Sequence, residues 1–129
     1  MPLKAKIMVV EDNIDESKLI KMALEPEGYE VVTAFNGREA KEKMSSEKPD
    51  FIVLDVMMPE MDGFHFCSWL RSNPEYKNIP VLLLTGVGKH IYDTKYPLRG
   101  VMEADADDYL EKPVKPEDLL DRIARLLKK

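Results

Sequence analysis

An α/β fold, with strands and helices alternating around a parallel sheet, is predicted by three observations. Short apolar runs recur with helical segments between them. Two of the runs, FIVL and VLLL, are continuously apolar, as strands covered on both faces of a parallel sheet must be. The 129 residues suffice for one core, so a single domain, residues 1–129, is expected.

The first strand is expected at residues 7–10. After it, Ile20, Ala23 and Leu24 share one helical face, and Pro26 with Gly28 ends that helix. The second strand, residues 29–34, is half polar and suits a sheet edge. Asn36-Gly37 can cap a second helix with a sparse stripe of Ala40 and Met44, halted at Lys48-Pro49. The third strand, residues 51–54, runs into Asp55. Pro59 and Asp62-Gly63 then turn the chain into a helix that buries Phe66, Cys67 and Leu70 and stops near Asn73-Pro74. Strands follow at residues 79–84 and, more briefly, 109–110. The last helix starts at Pro116, beside Glu117 and Asp118, and carries a stripe of Leu119, Leu120, Ile123, Leu126 and Leu127.

Composition narrows the function classes. A net charge of −5 argues against a general nucleic-acid binder, which needs basic residues to replace phosphate counterions. Cys67 is the only cysteine, which rules out an internal disulfide and reads as a small core residue. No apolar stretch approaches the roughly 20 residues that span a bilayer, and the N-terminus meets acids too early for a signal peptide, so a cytoplasmic location without membrane contact is expected.

Ligands of open parallel sheets bind beyond the carboxyl ends of the strands. The first strand exits into Glu11-Asp12, the third into Asp55, the fourth into Thr85-Gly86 and the fifth into Lys112-Pro113. Each alone is ordinary: an acidic pair in a loop usually caps a helix, and Lys-Pro is a common turn. Together at successive exits they mean more. Three converging carboxylates repel one another unless a cation joins them, and an oxygen-only set suits Mg²⁺ or Mn²⁺. With Lys112 as a second positive charge and Thr85 and the Gly86 amide as donors, the set forms a cradle for a phosphoryl group, with Asp55 as the nucleophile.

VVEDN, VLDVMMPEMDG, LLLTG and ADDYLEKP occur in this order, and with them nearly the whole chain resembles the response-regulator receiver domains of two-component signalling. The resemblance implies a flavodoxin-like sheet of order 2-1-3-4-5 with five flanking helices. It implies that Asp55 takes a phosphoryl group from the phosphohistidine of a sensor histidine kinase or phosphotransfer protein. Asp12, Asp55 and the Met57 backbone carbonyl would bind Mg²⁺ directly, and Glu11 through a water. Lys112 and Thr85 would grip phosphoryl oxygens, movement of Thr85 would be coupled to rotation of Tyr109, and the Lys112-Pro113 bond would be cis. Met57 would border the phosphoryl group; being apolar, it should not help to position a hydrolytic water, and Met57→Asn or Met57→Glu should change the acyl-phosphate lifetime.

The chain departs from that pattern between Thr85 and Lys112, where it runs a few residues longer. Gly86, Gly88, Gly100 and Pro97 oppose a regular fourth helix, and Asp105 stands where the family often has glycine. Lys89, His90, Lys95 and Arg99 make a locally basic segment, read either as a solvated insertion or as a partner-recognition surface. On the second reading, deleting residues 89–99 abolishes partner binding and spares phosphorylation. The output partner is expected at residues 86–110 and the last helix. If the chain is not a fragment of a longer protein, no DNA-binding or catalytic segment is expected beyond Lys129, and signalling through a partner without direct DNA binding is expected. His65 and His90 lack a second histidine or carboxylate at a useful ligand spacing.

Three alternative functions fit the residues less well. An aspartyl phosphatase of the haloacid-dehalogenase type needs a second aspartate where Met57 stands. Dinucleotide binding needs glycines where Glu11-Asp12 stand, and those acids would repel a pyrophosphate. An unphosphorylated interaction module would have no use for the acid set and Lys112.

Overall fold

The computed structural model describes residues 5–55, 62–85 and 106–128. Five parallel strands, β1 (Lys6–Val10), β2 (Glu30–Ala34), β3 (Phe51–Asp55), β4 (Val81–Thr85) and β5 (Asp108–Glu111), lie in the order β2-β1-β3-β4-β5. Among the described residues four α-helices accompany them: α1 (Ile14–Leu24), α2 (Gly37–Glu47), α3 (Asp62–Ser72) and α4 (Pro116–Leu127). The expected irregular fourth-helix region, with Asp105 and the basic segment 89–99, lies outside the described residues.

The strand alternation divides the core in two. Met8, Val10, Ile52, Leu54, Val81 and Leu83 pack with Ala40 and Met44 of α2 and Phe66, Cys67 and Leu70 of α3. Ile7, Val9, Phe51, Val53, Leu82 and Leu84 pack with Ile20 and Leu24 of α1 and Leu119, Ile123 and Leu126 of α4. Because β3 and β4 feed both clusters they are buried along their whole length, whereas β2 at the edge is only partly covered. That is the difference the continuous and half-polar runs predict.

Local chemistry starts and stops the helices, at Asn36, Gly28 and Lys48 as expected. Asn13 and Asn36 cap α1 and α2, accepting from the amides of Glu16 at 3.0 Å and Glu39 at 2.7 Å. After α1 a 3₁₀ turn (Glu25–Glu27) ends at Gly28, whose φ of 98° needs a residue without a Cβ. Lys48 closes α2 in the left-handed region, φ 48°, with its amide on the Met44 carbonyl. The third helix already starts at Asp62, whereas it was expected only after the Asp62-Gly63 turn, and the fourth strand begins after Pro80 rather than at Ile79.

Candidate functional site

Register alone brings the strand exits together. Val10 pairs with Leu54, which sets Glu11 beside Asp55, and Asp55 pairs with Leu84, one residue before Thr85. Thr85 pairs with Glu111, and the next amide, Lys112, donates to the Thr85 carbonyl at 2.8 Å. Glu11, Asp55 and Thr85 therefore occupy one edge, each 2% exposed or less. Asp12 stands beside them, exposed.

Carboxylate oxygens of Glu11, Asp12 and Asp55 lie within 4.8 Å of one another. Burial first, and then the hydrogen bond and charge of Asp55, push the Glu11 carboxyl up to about 9, although Lys112 and the Asn13 amide pull the other way. A pocket that drives a carboxylate towards a proton also favours a cation. An oxygen-only donor set at the mouth of a sheet fits a hard divalent ion, so Glu11, Asp12 and Asp55 are residues that could hold Mg²⁺.

The Lys112 ammonium lies inside this acid set. It donates to Glu16 Oε2 at 2.7 Å, to Glu11 Oε1 at 3.2 Å and to Asp55 Oδ2 at 3.2 Å. Burial alone would lower its pKa; the Glu16 hydrogen bond and the Asp55 and Glu11 charges outweigh that and hold it above the ordinary lysine value. In return, the Lys112 bond draws the Glu16 carboxyl below its usual range against a smaller opposing effect of burial. The Lys112-Pro113 peptide is cis, as expected.

Thr85 Oγ1 faces the Leu110 carbonyl at 3.5 Å, the long limit of a hydrogen bond. Tyr109 on β5 is 45% exposed. A cleft of about 170 Å³ opens beside the acids, lined by Glu11, Glu16, Leu19, Ile20, Lys112 and Pro113 among others. The structure thus gathers Glu11, Asp12, Asp55, Thr85 and Lys112; Met57 lies outside the described residues. Among the described residues no histidine or cysteine joins the cluster, and His65 is exposed on α3. Glu16 is the site residue that sequence reasoning missed. Its signal was position: it stands three residues after the Asn13 cap, where a glutamate usually turns back on its own helix.

An open parallel sheet whose carboxyl edge carries a cation-type acid pocket and an engaged lysine is the architecture of a class of phosphoryl-handling α/β domains. The chain belongs to the response regulator receiver domain family, which matches it over residues 7–124. It is 38% identical over 127 residues to the alkaline phosphatase synthesis transcriptional regulatory protein PhoP of Bacillus subtilis, covering 98% of this chain and 50% of that protein. It is 36% identical to the phosphate regulon transcriptional regulatory protein PhoB of Rhizobium meliloti, covering 96% of this chain and 52% of that one. Among solved structures, the signal receiver domain of a signal transduction histidine kinase from Syntrophus aciditrophicus superposes with a TM-score of 0.86 at 39% identity, covering 96% of this chain and 90% of that one. The chemotaxis response regulator CheY4 of Vibrio cholerae gives 0.80 at 34% identity, covering 95% and 98%.

The chain spans about half the length of the curated relatives it matches. Receiver domains of response regulators are signalling domains that bind Mg²⁺ at an acidic pocket. The expectation of no direct DNA binding gains no support, because the matched relatives are named as transcriptional regulatory proteins. Among the described residues no helix is long and apolar enough to cross a membrane.

Proposed function

We propose that this domain is a phosphorylation-controlled switch in which Asp55 is the phosphoacceptor. The observation that carries the reading is the Lys112 ammonium 3.2 Å from Asp55 Oδ2, within an acid trio whose oxygens lie within 4.8 Å. A carboxylate oxygen of Asp55 attacks the phosphorus of a phosphohistidine on a sensor kinase or phosphotransfer protein. The P–N bond breaks as the new P–O bond forms, and its electron pair stays on the imidazole nitrogen. Asp12 and Asp55, with Glu11 through a water and, as the family resemblance implies, the Met57 carbonyl, would hold Mg²⁺, which would supply charge neutralisation for the incoming phosphoryl oxygens.

Lys112 supplies the second counter-charge. Thr85, turned towards Leu110 at the limit of hydrogen bonding, has a phosphoryl oxygen as the better acceptor; its movement leaves room for Tyr109 to turn inward, and the partner reads that change. Hydrolysis of the acyl phosphate at Asp55 resets the switch. Met57 stands two positions after Asp55, where a phosphatase of the haloacid-dehalogenase type carries its second aspartate, so repeated turnover of phosphate esters is not expected.

The test is incubation with Mg²⁺ and acetyl phosphate followed by intact mass analysis. One base-labile phosphoryl adduct is expected on the wild type and none on Asp55→Asn. If neither acetyl phosphate nor a kinase partner labels the wild type, the domain is an unphosphorylated interaction module instead.

A further inference from the structure

The same local motif, Asn-x-x-Glu, opens α1 and α2, and it resolves differently in each. In α2 the Asn36 side chain caps the Glu39 amide, and Glu39 turns back so that its Oε1 accepts from the Phe35 amide at 3.2 Å. Glu39 thus folds back on the start of its own helix, at the residue before the cap. In α1 the Asn13 side chain caps the Glu16 amide in the same way, but the Asn13 amide is already held by Glu11 Oε2 at 3.1 Å. The Glu16 carboxylate instead reaches 96 residues along the chain to Lys112.

That contact, 2.7 Å, is shorter than the 3.2 Å contacts of Lys112 with Glu11 and Asp55. Glu16 is also the solvent-side partner: its side chain is 44% exposed, against 1% for Glu11 and 3% for Asp55. It stands outside the acid trio that could hold a cation. The ammonium is therefore pulled outward by Glu16 and inward by the trio.

We propose that Glu16 is a positioning residue that latches Lys112 at the rim of the pocket, so that a phosphoryl group on Asp55 must displace it to gain the ammonium. The inference rests on the assignment of Asp55 as phosphoacceptor and Lys112 as its counter-charge. The latch lowers the affinity of the resting domain for a phosphoryl group and makes release of Glu16 part of switching.

Beryllium trifluoride, which mimics a phosphoryl group on a carboxylate, is the probe, titrated calorimetrically in saturating Mg²⁺ into wild type, Glu16→Gln and Glu16→Asp. Both substitutions suit an exposed first helical turn. Glu16→Gln should bind about 2- to 5-fold tighter, the scale of a partly exposed ion pair. Glu16→Asp keeps the charge but is one methylene short of Lys112, and it should follow Glu16→Gln. Affinity for Mg²⁺ alone should not rise in either.

Three results overturn the latch. Glu16→Gln could bind no tighter than wild type; Glu16→Asp could match wild type, which would make the effect one of charge and not of contact; or both variants could gain Mg²⁺ affinity, which would place Glu16's action on the acids. Failure of wild type itself to bind the probe overturns the phosphoacceptor reading, and the latch with it.

Discussion

At the amino end of the sheet, carboxylates meet cations and amides in local sets, whereas at the carboxyl end Glu11, Glu16 and Asp55 share the single ammonium of Lys112. Lys6 pairs with Glu47 at 3.3 Å and Glu30 at 3.4 Å, while its amide donates to Asp50 at 2.9 Å. Asp107 accepts from Arg71 and from the Val81 amide, both at 2.8 Å, and Arg71 also donates to the Lys77 and Ile79 carbonyls. One end closes the fold with satisfied polar groups. The other keeps carboxylates buried at close quarters, a cost that Lys112 offsets in part and that a divalent cation would offset further.

The largest effect that would sharpen this contrast is at Asp55. Asp55→Asn should lose the phosphoryl adduct completely, while its melting temperature holds or rises because one repelling carboxylate is gone. A fall of several degrees would mean that the acids support the fold after all. Next comes the cation: Mg²⁺ at about 100 times its dissociation constant should stabilise wild type by ~2.7 kcal/mol. Asp55→Asn should show much less of this in a thermal melt, and an undiminished shift would place the ion elsewhere.

At the other end the signature reverses. Arg71→Ala strips partners from two carbonyls and Asp107 and should cost roughly 2 kcal/mol in denaturant unfolding, since groups left unpaired lose about 1–3 kcal/mol. Labelling by acetyl phosphate should stay at the wild-type rate; a slower rate would show that the two ends are coupled. The smallest effect is at the α2 cap, where Asn36→Ala should cost about 1 kcal/mol and leave labelling unchanged.

Much of this was legible in the residues because it follows from local rules. Continuous apolar runs marked β3 and β4 as interior strands, the half-polar run marked β2 as an edge, and Asn36 stood where the second helix needed a cap. The residues gathered at the site could be anticipated because parallel strands expose their ends on one edge, so Glu11, Asp55, Thr85 and Lys112 needed only the strand order to meet. Glu16 could not be read this way. Its partner depends on which of two nearby groups, the Asn13 amide or the Lys112 ammonium, remains available after Glu11 has made its own bonds. The Arg71–Asp107–Val81 set was hidden for a similar reason, since it joins side chains and amides from three separate stretches of chain.

The matched registers of β1, β3 and β4 have a further consequence. A slip of one residue in β3 would replace Asp55 at the pocket by a neighbour and, because alternate residues face opposite ways, would also exchange the residues that β3 gives to the two halves of the core. Folding therefore proofreads the site: a chain that misplaces its carboxylate also mispacks both cores. Connections beyond the strand ends escape that inspection, so evolution can lengthen or rewrite them while the position of Asp55 stays under the guard of the hydrogen-bonded ladder.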